Sequence, residues 1–310
     1  MKTRLPIVSV AVLALVCMTE NGQPDVQKRF SDLWYDGNAE ISTYAISEMR
    51  YGEPRDGMRI MVFVTEPMCI SEARCPSPYV KPDKKVPEQD KVDVIKLNDL
   101  RKFPTGIYEY STMTSVFTAV EEKERVPIMA PMKVVFTSQE WCGTVYERVI
   151  RRGDTLDGIL HSYFESEGDH NYRFPHHDTI QPEDNLWILI RELTGPLMKS
   201  GESRTMKVVP GMWARRKTHV LPSVKEITLT KGKKEKRKTV LGKIDAHPFA
   251  WGSKDKKTRV WVEAAYPHRI LSWEEDDGSS GELKATGREP YWKQNANNDL
   301  PLRDKYGLPK

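Results

Sequence analysis

Alternation of apolar and polar residues with a period of two recurs through almost the whole chain after residue 38. The stretch GIYEYSTMTSVFTAV, residues 106–120, shows it clearly, with aromatic and β-branched side chains among small polar ones. Successive side chains of a strand point to opposite faces, so such a segment has one buried face. Many segments of this kind, separated by Gly, Pro and Asp turns, predict an all-β protein. We expect one large curved antiparallel sheet, a half-barrel or barrel-like, with few short helices.

The predicted helix content is small. One helix is expected near residues 25–35, whereas the apolar run NLWILIREL, residues 185–193, suits either a short helix or a strand. The Asp-Gly pair at 277–278 predicts a hairpin turn. A soft boundary at residues 193–203 divides an N-terminal β region, 31–195, from a C-terminal β region, 196–310. We expect the two regions to be continuous.

The N-terminus has the pattern of a signal peptide over residues 1–17. Lys2 and Arg4 precede an uncharged run of twelve residues, Leu5–Val16, which is too short to span a bilayer as a helix. The sequence LALVC resembles a bacterial lipobox and makes Cys17 a candidate for lipidation, followed by a polar linker over residues 18–30. Val16 departs from the small residue that a lipobox needs, so a freely secreted protein remains the alternative. Either alternative predicts export, to the periplasm or to an outer-membrane-associated position.

The other cysteines are Cys69, Cys75 and Cys142. Cys69 and Cys75 lie six positions apart in a proline-rich loop, and in an oxidising compartment a local disulfide is expected. A metal site is the alternative, although no second pair completes a zinc site. Cys142 stands in Trp-Cys-Gly, but the position three residues on, where a redox pair needs its second thiol, is Val145. We therefore expect Cys142 to be a small buried residue of a β-strand.

A cluster of histidines and acidic residues occupies residues 161–178. Imidazole and carboxylate are the ligands of zinc and other divalent ions. The candidate metal ligands are His170, His176, His177 and Asp178. No H-E-x-x-H motif is present, so a polar loop with solvated histidines is the alternative.

The basic run KGKKEKRK, residues 231–238, lies between two strand-like segments. A solvated hairpin tip is the simplest interpretation, and contact with an anionic membrane surface is the functional one. The candidate surface-binding residues are Lys231, Lys233, Lys234, Lys236, Arg237 and Lys238. The net charge of only +4 and the absence of interleaved aromatics argue against nucleic acid.

The chain contains eight tryptophans and twelve tyrosines, which either line a cavity for an apolar ligand or fill the core. No Gly-rich phosphate loop, G-x-S-x-G elbow or dinucleotide fingerprint is present, and we predict no cofactor.

Several segments resemble a family of uncharacterised bacterial envelope proteins, many of which look like lipoproteins. The resemblance covers roughly residues 30–195, weakens after that, and rests on YDGNAEISTYAISEMRYGEPRDGMRIMVFVTEP, FPTGIYEYSTMTSVFTAV, SQEWCGTVYERV and HSYFESEGD. It implies location and architecture but no catalytic residues. Some members carry the label septum formation inhibitor, after the Maf nucleotide pyrophosphatases. Those enzymes open with Ser-Pro-Arg-Arg on an α/β fold, and this sequence has neither feature.

The sequence therefore predicts an exported envelope protein that acts by binding. The expected partner is a lipid or other apolar ligand, a glycan or an envelope protein, with the membrane surface reached through a lipid anchor. The alternative is a hydrolase that uses the cluster at 161–178, with or without a metal. A purely structural envelope protein is the third hypothesis.

Overall fold

The computed structural model is all-β, with 55% of residues in strands and 14% in helices, and its sheet is barrel-like and nearly closed. It describes residues 23–309 except 76–77, 84, 124–125, 176–179 and 254–256. The predicted fold class is confirmed. Residues 1–17 with Cys17, and the first five residues of the predicted linker, lie outside the described residues. Helix α1 (Gln23–Trp34) begins inside that linker.

Sixteen strands form one sheet. They are β1 (Ala39–Arg50), β2 (Glu53–Cys69), β3 (Lys91–Thr105), β4 (Tyr108–Ala119), β5 (Pro131–Glu140), β6 (Gly143–Arg152), β7 (Thr155–Ser162), β8 (Asp169–Pro175), β9 (Ile180–Pro182), β10 (Ser203–Val209), β11 (Lys225–Lys231), β12 (Glu235–Thr239), β13 (Gly242–Gly252), β14 (Lys257–Glu263), β15 (Ile270–Glu275) and β16 (Ser280–Glu289).

The described residues contain three further short α-helices, two of them between strands and one after the last strand. They are α2 (Leu186–Leu189), α3 (Met212–Thr218) and α4 (Leu302–Lys305). The segment that suited either a helix or a strand therefore contains helix α2. The predicted Asp-Gly turn connects β15 to β16.

The spatial order of the strands is β8-β7-β6-β5-β4-β3-β2-β1-β16-β15-β14-β13-β11-β10-β9, with β12 paired to β13. Strand β1 joins the two halves of the chain, because Ile41 pairs with Val62 of β2 on one side and with Gly287 of β16 on the other. Strands from both predicted β regions thus lie in a single sheet. All pairs are antiparallel except β9 with β10.

One face of the sheet is turned inward, and its side chains alternate along each strand. Tyr44, Phe63, Leu97, Val116 and Phe136 are all buried on this face. The chain between β8 and β11 contributes to the same core, with α2 and α3 buried against the inner face. A curved sheet of this size leaves a wide interior, and here two short helices fill it.

Candidate functional site

Helix α2 and the residues after it fill part of the interior of the sheet with apolar side chains. Leu186, Ile188, Ile190 and Leu193 have no exposed surface, and Trp187 is nearly buried. Complete burial of each such side chain stabilises the fold by about 1.5–3 kcal/mol. The segment is therefore held by the burial of apolar area.

Trp187 lies in a compact arrangement of rings around a buried cation. Its indole contacts those of Trp251 and Trp273 edge-to-face, with ring centroids 5.6 Å apart in both pairs. The Arg59 guanidinium lies 4.0 Å from the Trp187 ring centroid and 4.5 Å from that of Trp273. It also donates two hydrogen bonds to Asp99, at 2.6 and 2.7 Å. This pair holds the pKa of Asp99 below its usual range, although burial alone would raise it.

The end of this segment carries a second buried cation. Arg191 has no exposed surface and donates from Nη2 to the Glu40 carboxylate at 2.8 Å. The same guanidinium donates to the carbonyl oxygens of Pro267 and His268, at 2.9 and 3.1 Å. The pair fixes the segment to β1 and to the loop before β15.

Helix α3 is held in a different way, by three consecutive basic residues. Arg215 donates to Glu147 at 2.7 Å, and Lys217 donates to Glu48 at 2.9 Å and to Asp277 at 2.8 Å. Arg216 donates to Glu140. The side chains of the three cations are all buried. Each basic residue therefore reaches a different part of the sheet, which fixes both the position and the rotation of the helix.

The start of α3 is held by two acidic side chains. The amides of Gly211 and Met212 donate to Glu183 and Asp184, at 2.9 and 3.0 Å. Burial raises the pKa of Asp184 to about 6, although its hydrogen bond from Met212 works in the other direction. The anchorage of α3 therefore includes a carboxyl group that titrates near neutrality.

Four hairpins of the N-terminal region turn at the end of the sheet where α3 finishes. They connect β1 to β2, β3 to β4, β5 to β6 and β7 to β8, and adjacent antiparallel pairs place all four turns at the same end. Each turn presents a large exposed side chain: Tyr51 is 58% exposed, Ile107 85%, Trp141 73% and Tyr163 75%. We call these four residues and Tyr108 the hairpin rim.

The first part of the rim is continuous. The Tyr51 hydroxyl lies 3.1 Å from that of Tyr108 and 2.8 Å from that of Tyr110. The Tyr108 ring in turn lies 6.3 Å from the Trp141 ring, centroid to centroid. Tyr163 packs over the next hairpin turn, where a β-carbon on Gly143 would come within 2.8 Å of its ring. The exposed side chains therefore form one surface across neighbouring hairpins.

Helix α3 supports this surface from below. Arg216 lies over the Phe164 ring at 4.1 Å, and His219, just after the helix, lies 5.0 Å from the same ring. On the other side, Arg50 donates to the Lys217 carbonyl at 2.8 Å and lies over the Tyr51 ring at 4.4 Å. The buried ion pairs of α3 thus position side chains that adjoin the rim.

The predicted histidine cluster is described only in part. His176, His177 and Asp178 lie outside the described residues. His170 is exposed on β8, and His161 lies 3.2 Å from Asp169, both exposed. Within the described ranges, no three His, Cys, Asp or Glu side chains come close enough together to hold a metal ion.

The basic run divides between buried and exposed positions. Lys231 is buried and donates to Glu192 at 2.6 Å, so its prediction as a surface-binding residue is wrong. Arg237 lies 3.8 Å from the Trp261 ring centroid. Asp245 pairs with Lys236 at 2.7 Å and with Lys234 at 3.8 Å. Lys233 and Lys238 are exposed. The reason for the difference is that the run begins inside β11, where alternation turns Lys231 inward.

The cysteines occupy two different settings. Cys69 and Cys75 are joined by a disulfide, with their Cα atoms 6.4 Å apart. Cys142 is exposed in the turn between β5 and β6, so the prediction of a buried strand thiol is wrong. The prediction failed because the turn is very short. Glu140 pairs directly with Gly143, so only two residues lie outside the strands and the apolar–polar alternation does not mark the turn.

Sequence reasoning did not identify the hairpin rim. A usable signal was present, because Tyr51, Ile107 and Trp141 each lie within two positions of a glycine between alternating segments. Turns normally carry small polar residues, so large apolar side chains there are unusual. The packing of α3 beneath the rim had no such signal.

None of the family models, curated proteins or solved structures compared with this chain matches it. No helix in the described part of the chain has the length and apolar character needed to cross a membrane.

Proposed function

We propose that this is an exported, non-catalytic binding protein of the cell envelope that engages a partner protein through the hairpin rim. The observation that carries the proposal is the exposure of a large apolar side chain at each of four successive hairpin turns. Contiguous exposed apolar surface on a soluble domain is typical of an interaction site. In this proposal, Cys17 is the lipid anchor and the rim is the face offered to the partner.

The composition of the rim favours a protein over a glycan or a lipid. Tyrosine and tryptophan are enriched at protein interfaces, and they dominate binding energy when buried there. Ile107 gains nothing from the hydroxyl groups of a glycan, but it gains about 1.5–3 kcal/mol when fully buried by a partner. The tyrosine hydroxyls of Tyr51 and Tyr108 suit the polar groups of a protein surface better than lipid tails.

The dimensions of the rim agree with this assignment. Strands lie about 4.8 Å apart, so successive hairpin turns are separated by roughly 10 Å and four of them span roughly 30 Å. A standard interface of about 800 Å² per partner has a similar diameter. The apolar filling of α2 and the presence of α3 in the interior favour binding at this outer end over binding inside the sheet.

The test is site-specific photo-crosslinking in the cells that make the protein. A benzophenone amino acid replaces Ile107 in one variant and Val240, an exposed turn residue between β12 and β13, in the matched control. We expect one discrete adduct from position 107 and none from position 240. Tryptic digestion of the adduct should release peptides of a second protein, and its yield should fall about tenfold when Trp141→Ala and Tyr163→Ala are added, since such residues act as binding hot spots.

Other outcomes would contradict the proposal in distinguishable ways. An adduct whose added mass yields no peptides other than those of this chain would assign the rim to a lipid or a glycan. An adduct of twice the chain mass would assign it to a second copy of the protein. Equal adducts from both positions would show that the rim has no special role.

A further inference from the structure

A shallow groove of about 410 Å³ lies on the outer face of β6, β7 and β8, away from the hairpin rim and α3. Its polar lining includes Arg148, Arg152, Arg173 and Asn171, and its apolar lining includes Ile150 and Ile159. We propose that this groove is a binding site for an oxyanion of the phosphate type attached to an apolar body. The inference does not depend on the proposed function, because none of these residues belongs to the rim.

The strand register brings these side chains together. Arg148 of β6 pairs with Ile159 of β7, which pairs with Asn171 of β8. In the next row, Ile150 pairs with Asp157, which pairs with Arg173. Two strand spacings separate the outer members of each row, so the backbones of Arg148 and Asn171 lie roughly 10 Å apart, with Ile159 between them.

The charges of the groove are not balanced. Among the described residues that line the groove, Asp157 is the one carboxylate, and Arg173 donates two hydrogen bonds to it, at 2.7 and 2.9 Å. Arg152 faces Glu72 at 3.3 Å, and both of these side chains are about half exposed. Exposed pairs of this kind contribute little and are readily exchanged for another anion.

Arg148 provides a donor that is not used within the groove. Its Nε is buried and has no hydrogen-bond partner among the described residues. It also lies near Lys133 of β5, whose pKa is lowered by burial and by the positive charge of Arg148. An anion between the arginines would satisfy the guanidinium and relieve this repulsion.

The chemistry of the groove selects the ligand class. Planar guanidinium groups donate pairs of hydrogen bonds that match phosphate oxygens, and Asn171 adds a neutral donor. Ile159, which is half-buried, offers apolar surface to the remainder of the ligand. A free phosphate ester and the head group of an anionic lipid share this chemistry.

The experiment is calorimetric titration of the purified protein at low salt, first with inorganic phosphate and then with phenyl phosphate. We expect saturable binding of phosphate with a Kd of about 1 mM and about fivefold tighter binding of phenyl phosphate, because its ring covers Ile159. Arg148→Met should weaken both by about tenfold, since it removes charge-assisted hydrogen bonds. Arg204→Met is the matched control, because Arg204 is an exposed arginine of β10 that pairs with Glu202. It should change neither of the two affinities.

A second variant guards against a misfolded Arg148→Met protein. Asp157→Asn releases the guanidinium of Arg173 and removes the carboxylate of the groove, so phosphate should bind about threefold more tightly.

Vesicles of phosphatidic acid, compared with vesicles of phosphatidylcholine, distinguish a lipid head group from a free phosphate ester. Binding that Arg148→Met abolishes assigns the lipid head group, and binding of the soluble esters alone assigns a free ligand. No saturable heat from either phosphate, or equal affinities in Arg148→Met and Arg204→Met, would overturn the proposal.

Discussion

Helices α2 and α3 fill the interior of the same sheet, but buried ion pairs contribute to them to different degrees. Around α2, Leu186, Ile188 and Ile190 are fully buried against apolar side chains. On α3, Arg215 and Arg216 are just as inaccessible, yet each is paired with a carboxylate of the sheet. Helix α2 is held by the burial of apolar side chains, whereas α3 combines the burial of Met212 and Trp213 with three buried ion pairs.

The two kinds of interaction differ in how strictly they fix the orientation of a helix. Apolar burial is non-directional and depends mainly on area, so it stabilises α2 without specifying its orientation closely. A buried ion pair recovers little net free energy, because desolvation offsets its attraction, but it requires one geometry. We infer that α2 contributes most to stability, whereas the ion pairs of α3 place the side chains that support the hairpin rim.

The largest expected effect comes from breaking one pair of α3. Arg215→Met leaves the Glu147 carboxylate buried without its cation and should lower the free energy of unfolding by about 3–5 kcal/mol. Adding Glu147→Leu removes that buried charge, so the double variant should regain most of the loss. Denaturant unfolding of both single variants and the double variant measures this coupling. An additive double variant would mean that Arg215 and Glu147 are not energetically coupled, which would contradict their role in holding α3.

On α2, Leu186→Ala should lower the free energy of unfolding by about 2–5 kcal/mol, because it removes a buried side chain and leaves a cavity. Unlike the change on α3, it should leave photo-crosslinking from position 107 unchanged below the unfolding temperature. Loss of the crosslink in a folded Leu186→Ala protein would show that α2 also positions the rim.

The third expected effect is a pH dependence confined to α3. The pKa of Asp184 is about 6 in the folded protein and near 3.8 unfolded, so the folded state binds this proton more tightly. Its contribution to stability is complete below pH 3.8 and is lost as the pH rises through 6. Asp184→Asn keeps an acceptor for the Met212 amide and removes the charge. The variant should therefore be more stable than the parent at pH 7, by about 2–3 kcal/mol, but not at pH 4.

Unfolding curves of the parent and Asp184→Asn proteins across this range measure the effect. Leu186→Ala serves as the control, since its cost should not vary with pH. A constant difference between the parent and Asp184→Asn at every pH would exclude a role for this carboxyl group.

The smallest effect is expected at the rim itself. Ile107 is almost fully exposed, so Ile107→Ser should change the free energy of unfolding by less than about 0.5 kcal/mol. Thermal unfolding checks this value, and a larger loss would mean that the rim serves folding. A small effect would agree with the proposal that the interior stabilises the fold whereas the rim binds a partner.

Much of the fold was predictable from local pattern. The alternation in residues 106–120 predicts the strand β4, and Asp277-Gly278 predicts the turn between β15 and β16, because both signals depend only on neighbours in sequence. The same signals failed at Cys142 and at Lys231. There, alternation gave no indication of where a strand ends or which of its faces is covered.

The candidate site was much less predictable. Glu48, Glu147 and Asp277 are distant from α3 in sequence, and nothing local marks them as partners of Arg215 or Lys217. Hydrophobic periodicity records which side of a strand is buried, but it does not record what covers that side.

The sequence by itself determined an antiparallel all-β chain with few helices, because apolar and polar residues alternate along a half-buried strand with a period of two. The tertiary structure alone decided that β1 joins both halves of the chain in one sheet, that α2 and α3 fill it, and that four turns meet at one end. Strand order and the pairing of buried charges depend on contacts between residues far apart in the chain. A local pattern carries no record of such contacts.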